Sequence, residues 1–308
     1  MFSVGLLAST LRFAAPLAFA AMGGIFSERS GIVNIGLEGM MLAGAFFGIV
    51  VVAETGQWEL GLLGAMAAGG VLAAIHAFFS IHLQGDQIIS GFAINLLALG
   101  VTGYLFRSLY GRQGTPELEE RIPNVHLPLI EDIPFFGDLL GDLSLMIWLM
   151  FAVVIVSFIV LFKTPIGLRI RSVGEHPKAA DTVGISVYKV RYAAVILSGV
   201  LAALGGAYLS FGFGNAFNEN MTVGRGYIAL AAVIFGNWRP FGAFGACLLF
   251  GFSSALALRL QGSPLLPSDL ASANLLSALP YVLTLVVLVG VIGRSRGPAA
   301  AGRPYVKQ

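Results

Sequence analysis

Leu143-Ser144-Leu145-Met146-Ile147-Trp148-Leu149-Met150-Phe151-Ala152-Val153-Val154-Ile155-Val156-Ser157-Phe158-Ile159-Val160-Leu161-Phe162 contains no charge, with Asp142 immediately before it and Lys163 immediately after. A bilayer core about 30 Å thick is crossed by roughly 20 apolar residues, so this stretch reads as one membrane span. The charges on its two sides differ in sign. Between Leu109 and Asp142 stand Glu117, Glu119, Glu120, Glu131, Asp132, Asp138 and Asp142 against Arg112 and Arg121 alone. Between Lys163 and Arg191, Lys163, Arg169, Arg171, Lys178, Lys189 and Arg191 face only Glu175 and Asp181, and the tail adds Arg294, Arg296, Arg303 and Lys307. Basic loops stay in the cytoplasm, which places 163–191 and the tail inside and 109–142 outside.

Working outward, predominantly apolar runs with at most two charges each recur at about 4–26, 39–54, 60–82, 86–107, 192–211, 226–238, 241–260 and 274–293. With 143–162 they predict an all-α polytopic membrane protein of about nine transmembrane helices, the N-terminus outside and the C-terminus inside. The runs 39–54 and 226–238 are short, as expected of half-helices or re-entrant segments covered by protein. The expected organisation is a transmembrane domain over 1–294, with an extracytoplasmic loop at 109–142 and a cytoplasmic loop at 163–191, and a disordered cytoplasmic tail at 295–308. The composition agrees: 57% of the 308 residues are hydrophobic and 11% charged, about half the charged share of a soluble domain. The mean hydropathy is +0.86. These values exclude a soluble globular protein and a disordered one. Ala18-Phe19-Ala20 is similar to a signal cleavage site, but no Lys or Arg precedes its apolar run.

The chemistry-bearing residues are few. The sequence contains no phosphate-binding loop of the G-x-x-x-x-G-K-[ST] type and no H-E-x-x-H zinc motif, and its single cysteine, Cys247, lies in an apolar run. No catalytic residue and no metal ligand is therefore assigned. Among the carboxylates and histidines, Glu38, Asp86, His76 and His82 are the candidates near the spans for the type that marks an ion path in a self-sufficient carrier. Residues 164–185 are cut by Pro165, Gly167, Gly174, Pro177 and Gly184 into short elements. Pro177 suits the first turn of a short helix, and Gly184 suits its C-terminal cap. A short helix on a basic loop is either a docking knob or an ordinary positive-inside connector.

Two stretches carry a resemblance. Ser27-Glu28-Arg29-Ser30-Gly31-Ile32-Val33-Asn34-Ile35-Gly36-Leu37-Glu38-Gly39-Met40-Met41 is similar to the signature of permease subunits of ATP-binding cassette importers, in the bacterial nucleoside and simple-sugar uptake group of the family that includes ribose and branched-chain amino acid permeases. Leu197-Ser198-Gly199-Val200-Leu201-Ala202-Ala203-Leu204-Gly205-Gly206-Ala207, with the loop before it, resembles that family's cytoplasmic coupling loop and next helix. The resemblance implies a type II importer-like permease of the bacterial cytoplasmic membrane, taking up nucleosides, or simple sugars as the alternative. It implies no cofactor in this chain, ATP and Mg being held by partner ATPase subunits. Further implied partners are a second, different permease chain and an extracytoplasmic lipid-anchored binding protein; nucleic acid is not among them. Gly174, Glu175, His176, Pro177, Lys178, Ala179 and Ala180, closed by Gly184, would form the coupling helix seated in an ATPase groove.

Asn34 and Glu38 sit in a stretch broken by Gly31, Gly36 and Gly39. They read as lining the translocation path or bracing the broken helix, or else as interfacial caps with Glu38 paired to Arg29. Gln87, Ser90 and Asn95 fall close to one helix face and read as a polar path or as interhelical hydrogen bonds. Phe92, Tyr104 and Phe235 are candidates for stacking on a base, with packing as their ordinary use.

Overall fold

The computed structural model describes residues 4–111, 115, 118, 121–126, 137, 141–261, 276, 278–290 and 296–307. Its helices are α1 (Val4–Arg29), α2 (Leu37–Thr55), α3 (Trp58–Ala77, continued by a π-helical turn over Phe78–His82), α4 (Gln87–Tyr110), α5 (Leu145–Lys163), α6 (Pro165–Glu175), α7 (Pro177–Thr182), α8 (Val187–Ala207, continued by a π-helical turn over Tyr208–Phe213), α9 (Arg225–Phe235), α10 (Pro240–Leu260) and α11 (Leu279–Gly290). Among the described residues seven helices are long and apolar enough to cross a membrane: α1 to α5, α8 and α10. Most of the expected 109–142 loop and both ends of the expected 274–293 span lie outside the described residues.

Local sequence explains the boundaries. Asp86 caps α4 by accepting from the amides of Ile88 and Ile89 at 2.8 and 3.0 Å, Ser144 caps α5, and Thr164 caps α6 with Pro165 in its first turn. An N-cap oxygen supplies an acceptor for amides that lack one inside the helix. The run 39–54, read as short, forms the full-length α2 because the helix begins at Leu37 and runs to Thr55. The run 226–238 is shortened further, to the eleven residues of α9, which cannot cross alone. At the 109–142 stretch, read as a loop, strands β1 (Asn124–His126) and β2 (Asp142–Ser144) pair antiparallel, with Val125 opposite Leu143.

The packing centres on α8, which lies against α1, α2 and α3. Small residues permit it. A Cβ on Gly206 would collide with the Met41 carbonyl, and one on Gly205 with the Pro16 carbonyl at 2.6 Å. Gly44 meets Ala203, and Gly242 meets Gly236, so small residues serve crossings inside this chain. In lipid such crossings are held by close van der Waals contact, the apolar effect being weak there. By contrast α4 packs chiefly on α2 and leaves its other side open.

One turn links the ends of the bundle. Asn237 and Trp238 both adopt positive φ, at 54° and 53°. Their carbonyls accept from Arg29 at 3.3 and 3.0 Å, and the Trp238 indole donates to the buried Glu28 carboxylate. Trp238 thus fixes α9 and α10 to the end of α1.

Gly206→Val is expected to destabilise the fold by about 1–3 kcal/mol or more, because backbone atoms cannot yield as side chains do. Gly100→Ala, facing open space, is expected to be neutral. Thermal unfolding in detergent, followed by loss of monodisperse protein, compares them.

Candidate functional site: a braced helix break and a basic face

Between α1 and α2 the backbone of 30–36 is not helical, yet it is buried. Buried amides and carbonyls need partners, and here side chains supply them. The Val33 amide donates to Gln87 Oε1 at 2.7 Å. The Val33 carbonyl meets His76 Nε2 at 3.1 Å, and His76 Nδ1 meets the Ser90 hydroxyl at 2.9 Å. A carbonyl only accepts, so a neutral imidazole with its proton on Nε2 satisfies both contacts, Ser90 donating to Nδ1. Asn95 serves three groups: its Oδ1 accepts from the Gly39 amide at 2.8 Å, and its Nδ2 donates to the Ile35 carbonyl at 3.0 Å and the Tyr227 hydroxyl at 2.9 Å. Asn34 Nδ2 donates to Ser198 Oγ at 3.0 Å. Gly91, whose absent Cβ would lie 2.9 Å from the Gly36 amide, lets α4 approach closely enough for these bonds.

Glu38, in the first turn of α2, closes the arrangement from the other side. Its carboxylate accepts from the amides of Gly224 at 2.8 Å and Gly226 at 2.6 Å, which are among the amides at the start of α9 left without helical acceptors. A carboxylate at a helix N-terminus also meets the positive end of the macrodipole. Glu38 therefore ties α2 to α9 and does not pair with Arg29.

A second constellation lies on the face carrying α6 and α7. Pro177 occupies the first turn of α7, and the element closes with Gly184 at a φ of 82°. Gly174 and Glu175 end α6, and His176 joins the helices. Lys178, Ala179 and Val183 are exposed, whereas Ala180 is 2% exposed and packs with Val173, Val187 and Tyr305. Ile166 and Leu168 of α6 are also exposed beside Arg169.

Residues 6–292 match the model of the branched-chain amino acid transport system permease component family. The guanosine ABC transporter permease protein NupQ of Bacillus subtilis is 46% identical over 97% of this chain and 95% of that protein. The nucleoside ABC transporter permease protein NupC of Lactococcus lactis is 40% identical over 98% of this chain and 96% of its own. A putative glucose ABC transporter permease protein, TsgC13 of Haloferax volcanii, is 40% identical over 93% and 91%. The chain belongs to this permease family. It is accordingly a multi-pass membrane permease component of a transport system, with the type II importer-like helical architecture described above.

The permease brings together all five residues read as path candidates, Asn34, Glu38, Gln87, Ser90 and Asn95, at one break. Each bonds to protein, and four of them act on backbone of the break or of α9, Ser90 through His76. Bracing was one of the readings open for Asn34 and Glu38, and interhelical hydrogen bonding one of those open for Gln87, Ser90 and Asn95. His76, Ser198 and Tyr227 complete the set. His76 was noted only as an ionisable residue, and nothing in the spacing of Ser198 or Tyr227 pointed to 30–39. Phe92 and Tyr104 are exposed, and Phe235 packs on Phe250 with ring centroids 5.9 Å apart.

Asn95→Leu leaves the Gly39 amide and the Ile35 carbonyl without these partners, and each unpaired buried group costs about 1–3 kcal/mol. The expected result is a lower unfolding temperature in detergent with or without substrate, whereas Ser90→Ala has a smaller effect. Unchanged unfolding with a raised KM for uptake would instead make Asn95 a substrate contact.

Proposed function

We propose that this chain is the membrane-spanning subunit of an ATP-binding cassette importer that takes up nucleosides. ATP with its Mg is bound and hydrolysed by separate subunits, a second and different permease chain completes the path, and an extracytoplasmic binding protein delivers the substrate. The observation that carries this reading is the near full-length match at 46% and 40% identity to permeases named for guanosine and nucleosides. The exposed α7, preorganised by Pro177 and Gly184, supports a docking role. Closure of an ATPase pair has to reach the spans as rigid-body motion, and a short rigid helix transmits it where a loose connector does not. A sugar substrate is the second reading, favoured by the match to the protein named for glucose.

With the five candidates engaged in bracing, the substrate path is assigned to the open side of α4. There Leu99, Gly100, Gly103, Tyr104, Arg107 and Ser108 face Glu219 and Asn220 across a groove of about 760 Å³. Tyr104 is 73% exposed and offers a ring face to a base. Ser108, Glu219 and Asn220 offer the hydrogen-bonding groups that ribose hydroxyls need. Arg107 and Glu219 are joined at 2.8 Å and shape the groove's polar end. A second permease closes the open side.

Orientation follows the charge bias, with the N-terminus outside and α6, α7 and the C-terminal segment in the cytoplasm. The clustering of the ends of α1 and α5 and the start of α8 around α6 supports it.

Reconstituted with its neighbours' products, the complex is expected to accumulate labelled nucleoside only with ATP, with excess unlabelled nucleoside competing and glucose not. Competition by glucose alone would move the substrate to sugars, and uptake by this chain driven by a proton or sodium gradient without ATPase would make it an ion-coupled carrier. Tyr104→Leu is expected to raise the KM for nucleoside about tenfold, as loss of a base-stacking contact of roughly 1–3 kcal/mol implies. In a Cys247→Ser background, Val125→Cys should label from outside, and His176→Cys only after permeabilisation. The reverse pattern rejects the orientation.

A further inference from the structure

The segment 296–307, expected to be disordered, is bound along the α6–α7 face. The Arg296 amide donates to Asn237 Oδ1 at 3.3 Å, the Ala299 amide to Glu175 Oε2 at 3.2 Å and the Ala300 amide to the Gly174 carbonyl at 2.9 Å. The Gly302 amide reaches the Gly31 carbonyl at 3.3 Å. Tyr305 is buried against Val173, Ala180 and Val187, with its ring edge-on to Tyr188 at 5.7 Å. Arg191, 1% exposed, donates to the carbonyls of Ser30 at 3.2 Å and Arg303 at 3.5 Å, and its guanidinium lies 6.0 Å from the Tyr305 ring centre. A composition rich in Gly, Pro, Ala and Arg suggests disorder only while these partners are unknown.

This course leaves a cavity of about 440 Å³ between two walls. One is formed by residues 175–179, and the other by the C-terminal segment up to Val306. On its rims Lys178 and Arg303 are exposed and, among the described residues, make no ion pair, while Val306 and, on the same face, Val183 are exposed apolar side chains. Arg169, Lys189 and Lys307 add exposed positive charge, against Glu175 and Asp181. A concave site with free cations beside apolar side chains suits a protein segment carrying acidic and apolar residues.

Resting on the permease reading above, we infer that residues 303–306 form a second wall of the ATPase docking site, opposite α7, and that the occupant is an acidic and apolar segment of the ATPase subunit. Arg303 and Val306 meet the partner, and Tyr305 holds them in place from below. The coupling element is then a groove with two walls, one from mid-chain and one from the C-terminal segment, joined by the Ala299–Glu175 and Ala300–Gly174 hydrogen bonds, while Arg191 ties the C-terminal wall to Ser30.

Cross-linking in membranes holding the assembled complex tests this. In a Cys247→Ser background, Ala179→Cys and Val306→Cys each receive a short photoactivatable thiol reagent. The expected result is capture of the ATPase subunit from both positions at comparable yield. Arg303→Glu, an exposed change that should leave the unfolding temperature unmoved, is expected to lower substrate-stimulated ATP hydrolysis about tenfold or more, with Arg303→Gln intermediate. Capture from position 179 but not 306, or adducts at 306 with lipid alone, overturns the second wall and leaves the permease reading standing. Capture from neither position overturns the docking reading itself.

Discussion

Backbone amides and carbonyls buried inside the protein cannot turn to water, so every departure from the helix there must be satisfied by protein. The α1–α2 break is the clearest expression of that constraint here, and much of the bundle is arranged around it. His76 of α3, Gln87 and Asn95 of α4, Ser198 of α8 and the start of α9 all converge on 33–39. Remove the break and none of these polar side chains has a reason to stand in an otherwise apolar helix. The helices that meet there include both centrally packed ones and the loosely packed α4.

The Glu38 contact gives this network a mechanical sense. α9 begins inside the protein, and its unpaired amides are held by a carboxylate on α2. Its other end is fixed through Asn237 and Trp238 to Arg29 and Glu28 of α1. The short helix is therefore anchored at both ends to different spans. α6, whose Gly174 lies against the Arg29 carbonyl, thus touches the same end of α1 to which α9 is fixed.

How much of this could be read from the residues depended on range. The spans were legible because hydropathy is local: each side chain reports its own preference, and runs such as 143–162 need no partner to be recognised. Pro177 and Gly184 marked α7 for the same reason. The polar cluster was visible as a set, since Asn34, Glu38, Gln87, Ser90 and Asn95 are anomalous wherever they sit in apolar sequence. Their role was not, because whether an amide side chain faces a solute or a backbone carbonyl is decided by which helix lies beside it. Ala180 was likewise listed with the residues of the coupling helix, and the side chain that covers it, Tyr305, comes from the far end of the chain. α6 went unseen as a helix because its two glycines and leading proline read as punctuation, while Thr164 and Pro165 in fact start it.

The wide turns that finish α3 and α8 bear on how the chain can change length over evolutionary time. A π turn holds one residue more than an α turn, so a single deletion within Phe78–His82 or Tyr208–Phe213 is absorbed by tightening to ordinary helical pitch. The same deletion in the body of α8, ahead of Gly199, would rotate Ala203 and Gly206 about 100° away from Gly44 and Met41, since each residue advances an α-helix by that angle. Length variation among related sequences should therefore gather at these two turns and in the loops, and the run from Gly199 to Gly206 should keep its length unchanged.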